Sequence, residues 1–370
     1  MGLFDDLHVS TVINAAGRLT ALGGSSLRQN VIDAMAEASR AHVDLSVLRS
    51  AAGAEIARLS GAEAGTVTAG ASASLVMAVA GSITGTDSAK IARLPDSNGL
   101  ANRVPIQTGH LVNFGAPVEQ MIRLGGGVPV PIGSVNSVPP RALEAVLQAG
   151  DCACTMYVVS HHSVQANQLP LLAWIEISHA HQVPVLVDAA AEEDLHRYLD
   201  AGADLVAYSG GKAFEGPTTG ILVGRADLVA AAEAQFAGVA RPMKVGKEDI
   251  LGLVSALRNY VCADTATERA RQDRVLEEIR TRIGKVPGVD VSVMPDDAER
   301  AINRLALVTS PDRARTLSAA LSAGEPSIRT RNHHLSEGIV LIDPRALTAS
   351  DGETIAGRVT AVLAETVQER

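Results

Sequence analysis

The sequence predicts a mixed α/β fold, with a large domain built on a mainly parallel seven-stranded sheet and a smaller α+β domain at the C-terminal end. Short β-branched runs alternate with Ala-rich amphipathic stretches through the first two thirds of the 370 residues. This alternation is typical of strands joined by crossover helices. A long helical pattern follows, and beyond it short strand-like and helix-like segments alternate, so we expect a second domain there.

The elements of the large domain follow from local pattern. Short apolar runs bounded by turn residues predict strands, at residues 65–69, 103–107, 127–132, 154–160, 184–188, 204–208 and 219–224. Helical periodicity, with prolines suited to first turns and glycines to ends, predicts the helices. These fall at residues 28–40, 50–60, 72–82, 117–124, 139–149, 170–181 and 226–236.

The C-terminal third begins with apolar residues at helical spacing from Lys247 to about Ile283, which predicts one continuous helix linking the two domains. Strand-like VDVSVMP, LALVTS, SIRTR and GIVLID follow, with a helix near 311–323 and a closing helix from about Ser350. We therefore expect three parts: an N-terminal segment over 1–45, a large domain over 46–246, and the linker helix with the small domain over 247–370.

Charge and composition exclude several functions. The formal net charge is −9 and no concentrated group of Lys and Arg is present, so we expect no nucleic-acid partner. Cys152, Cys154 and Cys262 are too few and wrongly spaced for a zinc site or a disulfide framework, so we expect no metal and a cytoplasmic location. No apolar stretch reaches the about 18 residues of a membrane span, and no signal-peptide pattern is present, so we expect no membrane partner.

An acid and a lysine stand at the ends of two consecutive predicted strands. Asp188 closes the apolar run PVLVD, and Lys212 stands in Ser-Gly-Gly-Lys after the next strand. Such a pair can meet on opposite sides of a flat heteroaromatic ring. Pyridoxal phosphate requires this arrangement, because the lysine forms an imine with its aldehyde and the acid keeps its ring nitrogen protonated. Alone, Lys212 could be a surface lysine in a turn and Asp188 a helix cap; together they favour the cofactor.

The cofactor phosphate needs backbone N–H donors at a helix N-terminus, with glycine for close approach. Gly70, Ala71 and Ser72 offer such donors, since the predicted strand at 65–69 runs directly into a helix there. Ser209 could add a hydroxyl to the phosphate, although a serine before two glycines is often only a turn residue.

Polar residues after two further strands are candidate cofactor contacts at the carboxyl edge of the sheet. His110 follows RVPIQ and could stack on the pyridine ring; the alternative is a surface or capping histidine. His161, His162 and Ser163 follow the strand predicted at 154–160. Adjacent side chains on a strand face opposite ways, so at most one of these two histidines would point inward.

A substrate carboxylate is commonly held by a bidentate arginine. Arg331 in SIRTR of the small domain and Arg18 in the N-terminal segment are the candidates. Arg329 shares Arg331's side of a strand and competes with it, and the alternative for each is a solvated surface arginine.

Several segments resemble one family, the selenocysteine synthase (seryl-tRNA selenium transferase) family of fold-type I pyridoxal phosphate enzymes. The resemblance is strongest to its tRNA-independent branch, which includes D-glucosaminate-6-phosphate ammonia-lyase. The segments are VDAAAEEDLHRYLDAGADLVAYSGGKAFEGPTTGILVGR, VINAAGRLTALGGS, EIARLSGAEAGTVTAGASASL, GHLVNFGAPVEQMIRLGG, KVGKEDILGLVSALRNY and IRTRNHHLSEGIVLIDPRAL.

The resemblance spans essentially the whole chain. It implies that Lys212 forms the imine, that Asp188 pairs with the pyridinium, that Gly70 to Ser72 hold the phosphate and that Arg331 binds the substrate carboxylate. It also implies at least a homodimer. The tRNA-dependent members carry an additional N-terminal domain, whereas this sequence begins near VINAAG and lacks a basic surface, so we expect no tRNA substrate.

Two departures from the family pattern concern the substrate. Relatives commonly have Gly-Pro-Gln after the lysine, where this chain has Gly216, Pro217 and Thr218, and often a small polar residue at the place of Arg18. We therefore predict a pyridoxal phosphate-dependent lyase that eliminates a β-hydroxyl from a small anionic amino acid, with a D-glucosaminate-6-phosphate-like substrate as the example. Alternatives are aldol cleavage, epimerisation or amino transfer, which use the same cofactor, and a non-catalytic relative that serves as a cofactor sensor or assembly subunit.

Overall fold

A computed structural model of the chain describes residues 2–160, 163–296 and 300–368. The strands are β1 Val12–Ala15, β2 Ala64–Thr68, β3 Arg103–Gln107, β4 Val128–Ile132, β5 Thr155–Val158, β6 Val185–Asp188, β7 Leu205–Ser209, β8 Gly220–Gly224, β9 Asp290–Pro295, β10 Asn303–Val308, β11 Ser327–Thr330 and β12 Ile339–Ile342. The helices are α1 Leu3–Asp6, α2 Gln29–Ser39, α3 Leu45–Ser60, α4 Ala71–Thr84, α5 Ser88–Arg93, α6 Val118–Leu124, α7 Pro140–Leu147, α8 Leu171–Ala180, α9 Arg197–Asp200, α10 Ala226–Ala234, α11 Lys247–Val261, α12 Thr265–Ile283, α13 Pro311–Ala323 and α14 Ala349–Gln368.

The chain forms two compact units. Unit 1 contains residues 1–26 and 263–370, and unit 2 contains residues 27–262. The divisions thus fall at other places than the ends of 45 and 246 expected from the sequence. Residues 1–26 share a unit with the C-terminal residues because β1 pairs in parallel with β11, while α11 packs on α2 and α3 within unit 2.

The central sheet of unit 2 confirms the predicted seven strands and their mainly parallel arrangement. Its order is β2-β8-β7-β6-β5-β3-β4. Only β8 runs against its neighbours β2 and β7; the other pairs are parallel. Every residue of β5, β6 and β8 is buried, as expected of strands covered on both faces. The carboxyl ends of β2, β3, β4, β5, β6 and β7 therefore lie along one edge.

Unit 1 contains the predicted small α+β fold. Its antiparallel sheet has the order β12-β10-β9, and β1 and β11 form a separate parallel pair. Helices α12, α13 and α14 cover a core of aliphatic side chains that includes Leu305, Leu317 and Val359. The strand β1 was not predicted.

The prediction of one continuous helix from Lys247 to Ile283 is wrong. The α11 helix ends at Val261, and α12 begins at Thr265. The Asp264 carboxylate accepts hydrogen bonds from the N–H groups of Ala266 and Thr267, each at 3.1 Å. This N-cap starts a new helix, and the apolar periodicity on either side of it does not reveal the break. Within the described ranges, no helix is both long and apolar enough to cross a bilayer.

Candidate active site

The pairing of strands in the central sheet shows where several of the predicted site residues of unit 2 lie. Gly220 on β8 is paired with Thr68 on one side and with Ser209 on the other. Asp188 at the end of β6 is paired with Ala207 of β7. The Gly70 segment, Ser209 and Asp188 thus lie at the carboxyl edge of the same sheet, where open α/β sheets bind their ligands.

The turn that contains Lys212 is closed by backbone hydrogen bonds. The N–H of Gly210 donates to the Thr219 carbonyl and the N–H of Gly216 donates to the Gly210 carbonyl, both at 2.8 Å. A Cβ at position 210 would lie 2.1 Å from Thr219 Oγ1, so the first glycine of Ser-Gly-Gly-Lys is required by close approach. The turn is fixed at both ends around the lysine.

Aromatic packing fixes the same turn from inside unit 2. The Phe214 ring, two residues after Lys212, lies 5.8 Å from Tyr208 and 5.0 Å from Tyr260 between ring centroids. The Tyr260 hydroxyl donates to the carbonyl of Glu193, in the loop that follows Asp188. Because this chain has only four Phe and four Tyr, the concentration of three of them here indicates a rigid support for the lysine turn.

Asp188 is buried, and its surroundings do little to offset the loss of hydration of its carboxylate. Oδ1 accepts a hydrogen bond from the Ala190 N–H at 3.1 Å. Burial raises the pKa of this carboxyl to about 6, against the opposing effects of that hydrogen bond and of the Lys212 charge. A buried carboxylate is stabilised by a cation, and the protonated nitrogen of a pyridine ring is such a partner. Asp188 therefore fits pyridoxal phosphate.

The N-terminus of α4 fits the phosphate of the same cofactor. The N–H groups of Ala71, Ser72 and Ala73 have no acceptor within the helix, and no side chain caps it. A Cβ on Gly70 would meet nothing within 4 Å, so the space beside this glycine is open. N–H groups without an acceptor in the helix, the helix dipole and an open approach are the features that favour anion binding at a helix N-terminus.

Gly220 is a residue of this site that the sequence analysis missed. A Cβ at this position would lie 2.4 Å from the carbonyl carbon of Gly70 and 2.7 Å from the nitrogen of Ala71. Only a glycine on β8 lets the strand run directly beneath the first turn of α4. The signal in the sequence is a glycine at the start of an apolar strand, which often marks close approach of another backbone.

For Gly220→Ala we expect the affinity for pyridoxal phosphate to fall about tenfold or more, because the added methyl displaces the N–H donors of α4. A fluorescence titration of cofactor-free protein measures this. Gly357→Ala is the control, since Gly357 is exposed on α14 and a Cβ there meets nothing within 4 Å. Equal affinity of both variants would show that Gly220 does not shape the phosphate site.

His110 is held in place by several contacts. Its Nδ1 accepts a hydrogen bond from the Val158 N–H at 3.1 Å, and its ring meets Tyr157 edge-on at 4.5 Å between centroids. Burial lowers the pKa of His110 to about 4, so the ring is neutral near pH 7. Nδ1 acts as acceptor, which assigns the ring proton to Nε2. The imidazole is completely buried, and its stacking on a pyridine ring stays a prediction.

The predicted serine contacts differ in their surroundings. Ser209 is partly buried at the end of β7, in register with Gly220. Ser163 folds back on its own loop, where its hydroxyl donates to the Ser160 carbonyl at 2.7 Å. His161 and His162 lie outside the described residues. Cofactor contacts by Ser209 and Ser163 stay predictions.

The two predicted substrate arginines belong to unit 1 and come from one edge of a small sheet. Arg331 directly follows β11 and Arg18 follows β1, two strands that pair in parallel. Arg331 is buried and its backbone pairs with Leu341. Arg329, the competing candidate, is exposed and donates to Ser322 Oγ at 2.7 Å. The structure thus distinguishes the buried Arg331, directly after β11, from Arg329, a surface residue on β11.

Comparisons with known proteins point to one family. Residues 186–286 match the family model SelA, L-seryl-tRNA selenium transferase. A 5'-C-glycyluridine monooxygenase-decarboxylase from Streptomyces sp is 40% identical over 366 residues, which are 97% of this chain and 92% of the relative. A D-glucosaminate-6-phosphate ammonia lyase from Salmonella typhimurium (strain 14028s / SGSC 2262) is 39% identical over 361 residues, 96% of each protein.

A solved structure titled D-glucosaminate-6-phosphate ammonia-lyase matches with a TM-score of 0.91 and 38% sequence identity, covering 99% of both chains. These comparisons confirm the predicted fold class and the predicted family. The chain belongs to the selenocysteine synthase-like family of fold-type I pyridoxal phosphate enzymes, in the branch of D-glucosaminate-6-phosphate ammonia-lyase.

Proposed function

We propose that this chain is a pyridoxal phosphate-dependent ammonia-lyase that acts on a small anionic amino acid with a hydroxyl on its β-carbon. The observation that supports this most is the buried Asp188 carboxylate, whose pKa responds to Lys212, at the same sheet edge as the uncapped N-terminus of α4. These groups match three parts of one cofactor, namely the ring nitrogen, the aldehyde and the phosphate.

Each group has one role in cofactor binding. The N–H groups of Ala71 and Ser72, next to Gly70, would hold the phosphate. Asp188 would hold the proton on the ring nitrogen, and Lys212 Nζ would bond to the aldehyde carbon. Contacts from Ser209, Ser163 and His110 are further parts of this proposal.

The chain's own residues then direct the reaction. When bound, the cofactor supplies an electron sink for the α-carbon of the substrate amine. Lys212, released by that amine, would take the α-proton on Nζ as a general base. Arg331 and Arg18 would hold the anionic groups of the substrate and orient its α-carbon. Lys212 Nζ would then give this proton to the β-hydroxyl, which would leave as water, and addition of a second water to the dehydrated amino acid would release a 2-oxo acid and ammonia.

A second candidate is an oxygen-dependent decarboxylation. The observation that favours it is the 40% identity to a relative named as a monooxygenase-decarboxylase. Lys212 and Asp188 would bind the same cofactor in either reaction, so the pair does not discriminate between them.

The test is a panel of D- and L-hydroxyamino acids and phosphorylated sugar-acid analogues, incubated with the purified holoenzyme in anaerobic buffer. We expect ammonia and a 2-oxo acid in equal amounts without an amino acceptor. In a parallel incubation in air-saturated buffer, oxygen uptake with release of carbon dioxide would instead support the second candidate. A requirement for an amino acceptor would indicate an aminotransferase. Formation of an aldehyde would indicate an aldolase, and formation of an epimer would indicate an epimerase.

We also propose that the protein is a cytoplasmic homodimer whose partner is a small-molecule substrate and not a nucleic acid or a membrane. The net charge of −9 supports the absence of a polyanionic partner, and the dimer follows the family resemblance. Light scattering should give twice the mass of the 38.3 kDa chain.

A further inference from the structure

Two buried hydroxyl groups lie directly behind the N-terminus of α4. Thr68 is the last residue of β2, and Ser74 lies at the end of the first turn of α4. Both residues are completely buried. Burying a hydroxyl is unfavourable unless a hydrogen bond compensates for the lost hydration, so the partners of these two groups indicate their role. We call Thr68 and Ser74 the hydroxyl pair.

Hydrogen bonds join the hydroxyl pair to the backbone of Gly70. Thr68 Oγ1 donates to the Gly70 carbonyl at 2.9 Å, and the two hydroxyl oxygens are 2.8 Å apart. Because a carbonyl can only accept, the Thr68 proton is directed to Gly70, and Ser74 therefore donates to Thr68 Oγ1. The carbonyls of Ile221 and Gly70 lie farther from Ser74 Oγ, at 3.3 and 3.4 Å. The hydroxyl pair thus forms a chain of donors that ends at the Gly70 carbonyl.

The carbonyl held in this way belongs to the peptide group between Gly70 and Ala71, the first of α4. It also accepts the Ser74 N–H at 3.0 Å, which is the first hydrogen bond within the helix. In a planar trans peptide the N–H points opposite to the C=O. A Gly70 carbonyl fixed towards the helix therefore directs the Ala71 N–H out of its N-terminus. Donation to the carbonyl also polarises the amide and strengthens its N–H as a donor.

The space for the hydroxyl pair depends on Gly220 of β8. A Cβ at this position would lie 2.6 Å from Thr68 Oγ1, in addition to its contacts with Gly70 and Ala71. The strand β8 thus lies against both the first peptide of α4 and the hydroxyl that holds this peptide. Parts of the chain that are distant in sequence therefore pack together behind one N–H donor.

Thr66 is a matched comparison within the same strand. It lies two residues before Thr68 on β2, so both side chains point to the same face of the sheet, and it too is completely buried. Its hydroxyl donates to Glu233 Oε1 on α10 at 2.8 Å. A buried threonine of β2 can therefore satisfy its hydroxyl without contacting the start of α4, and the bond to Gly70 distinguishes Thr68 from Thr66.

From this arrangement we infer that Thr68 and Ser74 are positioning residues for the phosphate group of the cofactor. They act through the peptide between Gly70 and Ala71 and do not touch the phosphate themselves. Their hydrogen bonds hold that peptide in the orientation in which the Ala71 N–H meets the anion. The inference rests on the proposed function in so far as α4 binds the phosphate of pyridoxal phosphate, and it is independent of the reaction that follows.

The experiment compares pyridoxal phosphate with pyridoxal, which lacks only the phosphate. Full-length cofactor-free protein is titrated with each compound, and the ratio of the two dissociation constants gives the preference for the phosphate. For Thr68→Val, which keeps the shape of the side chain and removes the hydroxyl, we expect this preference to fall about five- to tenfold, through weaker binding of pyridoxal phosphate alone. Thr68→Ser restores the hydroxyl and should keep the full preference. Thr66→Val is the control and should keep it too, because the Thr66 hydroxyl is bonded to Glu233.

An equal loss of affinity for both compounds in Thr68→Val would overturn the inference, because it would show a general effect on the fold. An unchanged preference in that variant, or an equal fall in Thr66→Val, would overturn it too. If Thr68→Val fails to fold, Ser74→Ala decides the question: it removes only the second donor, and the preference should fall about two- to threefold. An unchanged preference in Ser74→Ala would then contradict the positioning role.

The unchanged protein separates this inference from the proposed function. If it binds pyridoxal as tightly as pyridoxal phosphate, the phosphate site of the proposed function is wrong, and the inference is overturned with it. If it prefers pyridoxal phosphate and Thr68→Val keeps that preference, only the role of the hydroxyl pair is wrong. No turnover is measured, so a wrong assignment of the reaction would leave these results unaltered.

Discussion

Replacement of Lys212 by alanine is expected to lower turnover by about 10³-fold or more, since one side chain supplies both the covalent bond to the cofactor and the base for the α-proton. The variant should still fold, because Phe214 and the hydrogen bonds of Gly210 and Gly216 fix the turn without the lysine side chain. Ammonia release under substrate saturation measures the loss, and gel filtration followed by a visible spectrum shows whether cofactor is retained.

Lys90→Ala is the control for this experiment. Lys90 lies on α5 of the same unit with a side chain 44% exposed, and its Nζ is 4.0 Å from the Asp87 carboxylate. Its removal should leave turnover and cofactor retention unchanged. If Lys212→Ala kept more than about a tenth of the activity, the acid-base role assigned to this lysine would be untenable.

Asp188→Asn is expected to lower kcat by about 10²- to 10³-fold. The amide has the size of the carboxylate but no charge, so it cannot hold the proton on a pyridine nitrogen. The ring would then draw electrons more weakly from the substrate. Steady-state kinetics of the reconstituted variant measures this effect.

The pH dependence of cofactor binding is a second test of the role of Asp188. In cofactor-free protein the carboxyl of Asp188 has its pKa raised by burial to about 6, and a cationic ring nitrogen pairs only with the charged form. Affinity for pyridoxal phosphate should therefore be full above pH 6 and fall about tenfold per unit below it. Asp188→Asn should not show this fall in affinity below pH 6. Because protonation of the cofactor itself affects both proteins equally, the difference between their pH profiles isolates the contribution of Asp188.

Asp204→Asn is a matched control, because Asp204 is a buried acid at the opposite edge of the same sheet. It accepts hydrogen bonds from the Val185 N–H and His179 Nε2, both at 2.8 Å, and from Arg225 Nη1 at 3.1 Å. Its replacement should cost about 1–3 kcal/mol of unfolding free energy without changing kcat or the pH dependence of cofactor binding. Similar losses of kcat in both variants would mean that Asp188, too, has only a structural role.

The sequence alone was sufficient to predict the parts of the fold that are marked by a pattern of neighbouring residues. Apolar β-branched runs ending in Gly or a polar residue predicted the strands of the central sheet, because most of them, β3 and β5 to β8, are almost entirely buried. Asp188 and Lys212 could be proposed as a cofactor pair because a carboxylate and a lysine after buried strands have few structural uses. The register that brings Ser209 and Gly70 to the same edge follows once the order of the strands is known.

Other features depend on contacts between distant parts of the chain and have no local signal. The four-residue strand β1 pairs with β11 from the opposite end of the chain, which is why the N-terminal segment was not assigned to the C-terminal unit. Arg300, Arg304 and Arg345 are unremarkable in the sequence, and only tertiary structure places them around Asp296 and Asp343. The break before α12 depends on one capping aspartate within an otherwise continuous helical pattern.

Trapping the bond between cofactor and protein tests the central claim most directly. Holoenzyme is treated with borohydride, digested, and mapped by mass spectrometry. We predict that the yellow colour disappears and that reduced pyridoxal phosphate is found on the peptide containing Lys212, and on no other lysine peptide. Protein that stays colourless with excess cofactor and gains no mass on reduction, or an adduct on a different lysine, would contradict this account of the site.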